Sequence, residues 1–324
     1  MKFILISSYI VRALIAFACG IAMAVAADTA SPDGKTCYLF TYFTGNGEDG
    51  LHLAWSHDGY KWEKLNEGRS YLQPQVGESK LMRDPCVARG PDGIFRLVWT
   101  TSWNGKTIGY ASSPDMIHWS EERAIPVMAN EPGALNCWAP EVVYDAAKQD
   151  YVLYWSTTIK GRFSETLGTA DHEYNHRFYV TTTKDFTNFT PTHLLYDPDF
   201  VCIDATFLRA GNQLYLVFKD ETLKPVRKNL RMAAAASYEG PFTDLSPAFT
   251  GHWVEGPTAL RVGEDYMVYF DCYREGHYGA VRSRDLKTWE DVTARLSFVK
   301  GARHGTIIEV PSETIAHLLA AHSQ

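Results

Sequence analysis

The sequence predicts an all-β chain folded as a five-bladed β-propeller, with the last blade closed by strands from both termini. Three observations predict it: a marker motif that occurs five times, a β-type opening run in each repeat, and an incomplete repeat at each end of the 324-residue chain. The marker is Ser/Thr-x-Asp/Glu with an aromatic three or four residues later. Its copies are Ser56-His57-Asp58 with Trp62, Ser113-Pro114-Asp115 with Trp119, Thr183-Lys184-Asp185 with Phe189, Ser237-Tyr238-Glu239 with Phe242, and Ser283-Arg284-Asp285 with Trp289. Successive copies stand 57, 70, 54 and 46 residues apart, room for about four short strands each. The acid can bond backbone amides of a turn, and the aromatic can plug the gap between neighbouring sheets.

Each repeat opens with a recognisable strand. Leu81–Val87 leads into Gly93–Trp99 and then Ile108–Ala111, three β-type runs separated by turns. The same order recurs with Asn136–Val143 before Tyr151–Trp155, Cys202–Phe207 before Leu214–Phe218, and Trp253–Thr258 before Tyr266–Phe270. Residues 37–65 hold the later strands and marker of a unit that lacks its first strand, while Arg303–Ile308 supplies a first strand with nothing after it. Joined, they make the fifth blade, and a ring closed in this way removes the edges that an open array would leave exposed.

Residues 1–26 start with Lys2, continue through an apolar run broken by Arg12, and end in Ala24-Val25-Ala26, the small-x-small pattern of a cleaved signal peptide. The expectation is a secreted or periplasmic protein without stable membrane insertion, comprising a single catalytic domain over 27–324. Loss of Lys2 and Arg12 moves the formal charge from −7 to −9, and no basic run or aromatic-basic stripe is present. Nucleic acid is therefore excluded as a partner, and a neutral or weakly charged sugar oligomer or polymer is favoured. Aromatics at 13% of the chain suit both sheet packing and sugar stacking. Five cysteines outside the leader match no zinc spacing and read as buried thiols with at most one or two bridges.

Superimposing the five opening strands puts Asp84, Ala139, Asp204, Glu255 and His304 in one column, each at the start of an innermost strand. In a propeller that column surrounds the axis at one end, so carboxylates from distant parts of the chain converge on one pocket. Cleavage of a glycosidic bond needs one protonated and one ionised carboxyl. A third acid nearby raises the proton donor's pKa into a useful range. Trp103 and Trp138 are candidate sugar-stacking platforms, and Arg274, Arg83 and His304 are candidate hydrogen-bonding partners of the substrate.

Asp84-Pro85, Trp138-Ala139-Pro140-Glu141, Ile203-Asp204, Glu255-Gly256-Pro257 and His304-Gly305 together resemble the successive blade openings of glycoside hydrolase family 43 over roughly residues 37–310. The resemblance implies an inverting exo-glycosidase, most plausibly an α-L-arabinofuranosidase or a related furanosidase or β-xylosidase. Asp84 matches the general base, Asp204 the residue that modulates and orients the acid, and Glu255 the general acid. His304 matches an axial histidine that in the family contacts a water or a metal ion, often calcium; no organic cofactor is implied. Residues 37–83 precede Asp84 and contain a marker, a departure from the family's usual form that reads as the outer strands of the closing blade. Two alternatives stay open: a retaining propeller of the sucrose- and fructan-cleaving type, suggested by Arg83-Asp84-Pro85, and a carbohydrate-binding propeller that does not hydrolyse.

Overall fold

The computed structural model describes residues 36–321; the expected leader lies outside them. The chain first lays down β1 (Thr36–Phe43), β2 (His52–Ser56) and β3 (Glu63–Lys64). Four complete blades follow: β4 (Arg83–Arg89) to β7 (Arg123–Ile125) through β5 (Phe95–Thr100) and β6 (Ile108–Ser113), then β8 (Trp138–Asp145) to β11 (His193–Tyr196) through β9 (Asp150–Thr158) and β10 (His176–Thr183). The third comprises β12 (Cys202–Ala210), β13 (Gln213–Asp220), β14 (Asn229–Ala235) and β15 (Phe242–Thr243), and the fourth β16 (Glu255–Val262), β17 (Asp265–Cys272), β18 (His277–Ser283) and β19 (Glu290–Asp291). Last comes β20 (Arg303–Pro311), which pairs antiparallel with β1 to give the order β20-β1-β2-β3. The propeller therefore has five four-stranded blades, and both ends of the chain build the fifth.

The core is divided into five wedges of buried side chains, one at each interface between blades. This follows from the architecture, because a sheet with two apolar faces must bury each of them against a neighbour. Trp62 shows how the marker aromatics serve: its ring packs edge-on to Phe40 of its own blade and to Tyr269 of the next, at 5.9 and 6.0 Å between centroids. The marker turns behave as expected in four copies. In the last, Ser283 Oγ accepts the Leu286 amide at 2.8 Å, and Asp285 Oδ1 accepts the Lys287 and Thr288 amides at 2.9 and 2.8 Å. The copy with Glu differs: Glu239 is one methylene longer than Asp, does not fold back onto the turn, and pairs with Lys148 of another blade.

The five described cysteines are all buried and unbridged, in keeping with the reading of buried thiols with at most one or two bridges. One feature was not expected. A short helix, α1 (Ser312–Ala320), follows β20 where the sequence pattern showed nothing, and it buries Ile315 and Leu318 against the wedge between the closing blade and the β4–β7 blade. With nine residues it has too few turns for its apolar stripe to stand out in the sequence. Among the described residues no helix is long and apolar enough to cross a membrane.

Ring closure depends on a close backbone approach at Gly305. A Cβ there would lie 1.8 Å from the Thr41 carbonyl oxygen and 2.9 Å from Tyr42 Cα. Gly305→Ala must therefore push β20 off β1, and it should destabilise the fold by about 1–3 kcal/mol or more, read as a lower urea midpoint.

Candidate active site

All five innermost strands share one irregularity. Pairing with the second strand skips between Arg83 and Cys86, Trp138 and Glu141, Ile203 and Ala205, Glu255 and Thr258, and, in the closing blade, opposite Thr41 and Phe43. Each is a β-bulge, which bends the strand and re-aims a side chain. Asp84, Ala139, Asp204 and Gly256 occupy it in the left-handed region, with φ of 52, 46, 54 and 57°, and His304 holds the matching place in β20.

The expected column therefore takes one correction. Glu255 stands one residue ahead of it, in line with Arg83, Trp138, Ile203 and Arg303, and Gly256 takes the column position. The reason is steric as well as conformational: a Cβ at Gly256 would meet His304 Cγ at 2.4 Å, so no side chain fits. The proline that follows Asp84, Ala139 and Gly256 is the sequence signal that marks the true register.

The bulges surround a cavity of about 510 Å³ at one end of the axis. Of the predicted residues, Arg83, Asp84, Trp103, Trp138, Asp204, Glu255 and His304 line it. Arg274 does not: its guanidinium lies on the ring of Trp253, 3.1 Å from the centroid, an apolar and cation–π contact that takes it out of the pocket. Trp103 is 45% exposed at the rim and meets Trp138 edge-on at 5.5 Å. Arg83 is sandwiched between the rings of Phe43 and Trp103, with Nη1 donating to Asn46 Oδ1 at 2.9 Å.

The titratable groups divide by their partners. Asp84 is buried, which opposes ionisation, but His304 Nδ1 at 3.4 Å, the nearby Arg83 charge and a 2.8 Å bond donated by Thr100 Oγ1 outweigh that and hold it down at about 2. Thr100 is fixed in turn by accepting the Ala139 amide at 2.8 Å. Burial pushes Asp204 up to about 6, with the Glu255 charge adding to it, while His304 Nδ1 at 3.7 Å pulls the other way. Asp204 Oδ2 also accepts the Gly256 amide at 3.0 Å. His304 is raised to about 9, since the charges of Asp204, Asp84 and Glu255 prevail over burial.

Glu255 reverses its expectation. Burial raises its pKa, but Lys219 Nζ at 3.0 Å from Oε2 and Arg303 Nη2 at 3.4 Å from Oε1 bring it below the ordinary glutamate value. The shifts thus run opposite to the expectation, with Asp204 raised and Glu255 lowered. Lys219, Arg303, Glu221, Asp171, His172 and Tyr174 are residues of the site that the sequence reading missed. Lys219-Asp220-Glu221 directly after the apolar run Leu214–Phe218 was the available signal for two of them.

A calcium ion on the axis would be held by oxygen donors rather than by Nδ1 of His304, which faces Asp84 and Asp204 at 3.4 and 3.7 Å. Farther along the axis, Glu141 is buried, accepts hydroxyls of Tyr154 and Thr306 at 3.1 Å each, and is pushed up to about 7 by burial.

A ring of bulged strands thus gathers two carboxylates on its axis and a third beside them, in a pocket flanked by tryptophans. Residues 33–315 match the glycoside hydrolase 43-related family described as "Probable glycosyl hydrolase domain", and the chain belongs to it. The chain is 24% identical over 277 residues to an alpha-L-arabinofuranosidase of Bifidobacterium longum subsp. longum, a match covering 72% of this chain and 26% of that protein, so the chain spans about a quarter of that relative's length. Its fold is similar to the crystal structure of an alpha-L-arabinofuranosidase from Lactobacillus brevis, with TM-score 0.50 and 18% identity over 65% of this chain and 72% of that one. It is similar also to a thermostable family-43 glycoside hydrolase, with TM-score 0.53 and 16% identity over 69% and 78% of the two chains.

The raised pKa of His304 makes stability depend on pH in a definite direction. The folded chain holds this proton more tightly than the unfolded one, so its contribution is complete below about 6.5 and is lost as pH climbs through about 9. Across that window the unfolding free energy should fall with a slope of up to about 1.4 kcal/mol per pH unit, and His304→Gln should flatten the slope in urea titrations.

Proposed function

We propose that the protein is an inverting, exo-acting α-L-arabinofuranosidase that removes terminal furanosyl residues from plant-type oligosaccharides or polysaccharides after export. The observation that carries this reading is the division of labour among the acids: Asp84 is held ionised, while Asp204 and Glu255 form a neighbouring pair that keeps one proton to about pH 6. An inverting hydrolysis uses those two states at once. Asp84 takes a proton from the attacking water, and Glu255 delivers one to the leaving oxygen. Asp204 bonds the Gly256 amide and so fixes the backbone next to the acid. Trp103 and Trp138 offer ring faces to the sugar, and Arg83 offers unused guanidinium donors beside them. The activity of the Bifidobacterium relative supports arabinofuranose as the sugar, and no organic cofactor is called on.

A second reading is favoured by one observation, the higher pKa of Asp204. Here Asp204 itself carries the proton to the leaving group, and Glu255 is its ionised partner. Because the proton-bearing pair lets go near pH 6 in either reading, the alkaline limb of kcat/KM should lie on the acid side of neutral.

Asp84→Asn should lower turnover by about 10²–10⁴-fold with the fold intact, as should Glu255→Gln on a substrate with a poor leaving group. A dinitrophenyl leaving group should restore Glu255→Gln and leave Asp84→Asn inactive. Proton NMR of the first product should show inverted anomeric configuration. Retention would transfer the chain to the sucrose- and fructan-type mechanism, and equilibrium binding without release of sugar would favour the non-hydrolytic reading.

A further inference from the structure

We propose that Lys219 is a positioning residue for Glu255, clamping its carboxylate in the pocket wall and setting the pH range in which that carboxyl can hold a proton. The inference rests on the reading of Glu255 as the acid and adds to it a residue that no comparison assigns.

The geometry is that of a clamp between blades. Lys219 lies near the end of β13, opposite Ile203 and beside the Asp204 bulge, and only 1% of it is exposed. Its ammonium reaches out of its own blade to Glu255 Oε2 on β16 at 3.0 Å and to Glu221 Oε2 at 2.7 Å, above the ring of Tyr273 at 4.7 Å. A buried ammonium is costly unless its charge is met by acids. Moving away from Glu255 would cost Lys219 its hydrogen bond there and leave it only the ion pair with Glu221.

Both oxygens of Glu255 are engaged. Arg303 faces Oε1 at 3.4 Å and is itself anchored by Asp271 at 2.8 Å through Nε. On the other side Glu221 pairs with Lys228, which also holds Asp171 at 2.8 Å. The groups run Asp171, Lys228, Glu221, Lys219, Glu255, Arg303, Asp271 with signs alternating throughout. They reach from the pocket lip, where Asp171, His172 and Tyr174 line the cavity, to the proposed acid. Glu255 also faces the charges of Asp204 and His304 on the adjoining inner strands, with Asp84 beyond His304. Against this background Lys219 is the nearest cation and has the largest effect of the three, Lys219, Arg303 and His304, that favour the ionised form.

The two neighbours of Lys219 give opposite signs. Removing the ammonium should raise the pKa of Glu255. Removing the charge of Glu221 should lower it, because Lys219 is then no longer shared and a nearby negative charge is gone. A residue that merely packs would move neither.

The test is a titration that needs no substrate. With glutamate labelled at the side-chain carboxyl with ¹³C, the Glu255 resonance is identified by its loss in Glu255→Gln and followed against pH in the wild type, Lys219→Met, Lys219→Arg and Glu221→Gln. The midpoint should rise by about one to three pH units in Lys219→Met, return toward the wild type in Lys219→Arg, and fall in Glu221→Gln. An unchanged midpoint in both Lys219→Met and Glu221→Gln overturns the proposal. Should circular dichroism show Lys219→Met unfolded, Glu221→Gln decides alone, a fall supporting the clamp and no change overturning it. Failure of the underlying reading looks different: Glu255→Gln would still cleave an unactivated arabino-oligosaccharide, whatever the titration had given.

Discussion

Everything at the centre of this molecule depends on the bulge that begins each innermost strand. Without it, side chains would alternate across a flat ladder and those at the axis would point along the blade faces. With it, the backbone turns through the left-handed region at Asp84 and Asp204 and, with His304 at the matching bulge of β20, delivers all three to one pocket. Asp tolerates that conformation better than most residues because its short polar side chain can bond locally. Ala139 lacks that help, and its place in the ring is secured by the Thr100 hydroxyl that accepts its amide. The same hydroxyl donates to Asp84, so one threonine ties a strained backbone in one blade to a carboxylate in its neighbour.

The bulge also explains why the acids of this site are not equivalent. Asp84 and Asp204 leave from the kink itself and share the His304 imidazolium. Glu255 leaves one residue earlier, because the kink in its strand is filled by Gly256 against the His304 ring. From there its longer side chain lies between Lys219 and Arg303, outside the axial group. Three carboxyls close together therefore differ in three ways: Asp84 is lowered by His304, Asp204 is raised by burial, and Glu255 is lowered by two cations of its own. Placing like charges in one pocket is unfavourable unless their environments differ, and here the difference is built from single-residue offsets in strand register.

The architecture was legible because its signals are local and repeated. A Ser/Thr-x-Asp turn bonds amides within five residues, so four of the five markers announce their geometry wherever the strand sits in the ring. The missing first strand before Cys37 and the orphan strand at Arg303 announced the closure, which appears as the β1–β20 ladder. Glu255 was placed one residue off because it was read by its chemistry, as an acid among acids, while the prolines after the bulges kept the correct register. Arg274 was placed in the pocket for its charge, when the adjacent Trp253 ring supplied a nearer partner.

By itself the sequence determined the number of blades, the way the ring closes, and which acids meet at its axis, since each follows from patterns within one repeat or between equivalent positions. Only the tertiary structure decided the electrostatic state of those acids. Lys219 and Arg303 reach Glu255 from strands 36 and 48 residues away in the chain, and His304 lies between Asp84 and Asp204 only after the last strand has joined the first. Charge interactions act through space and through the solvent that burial removes, so they come into being when the ring closes.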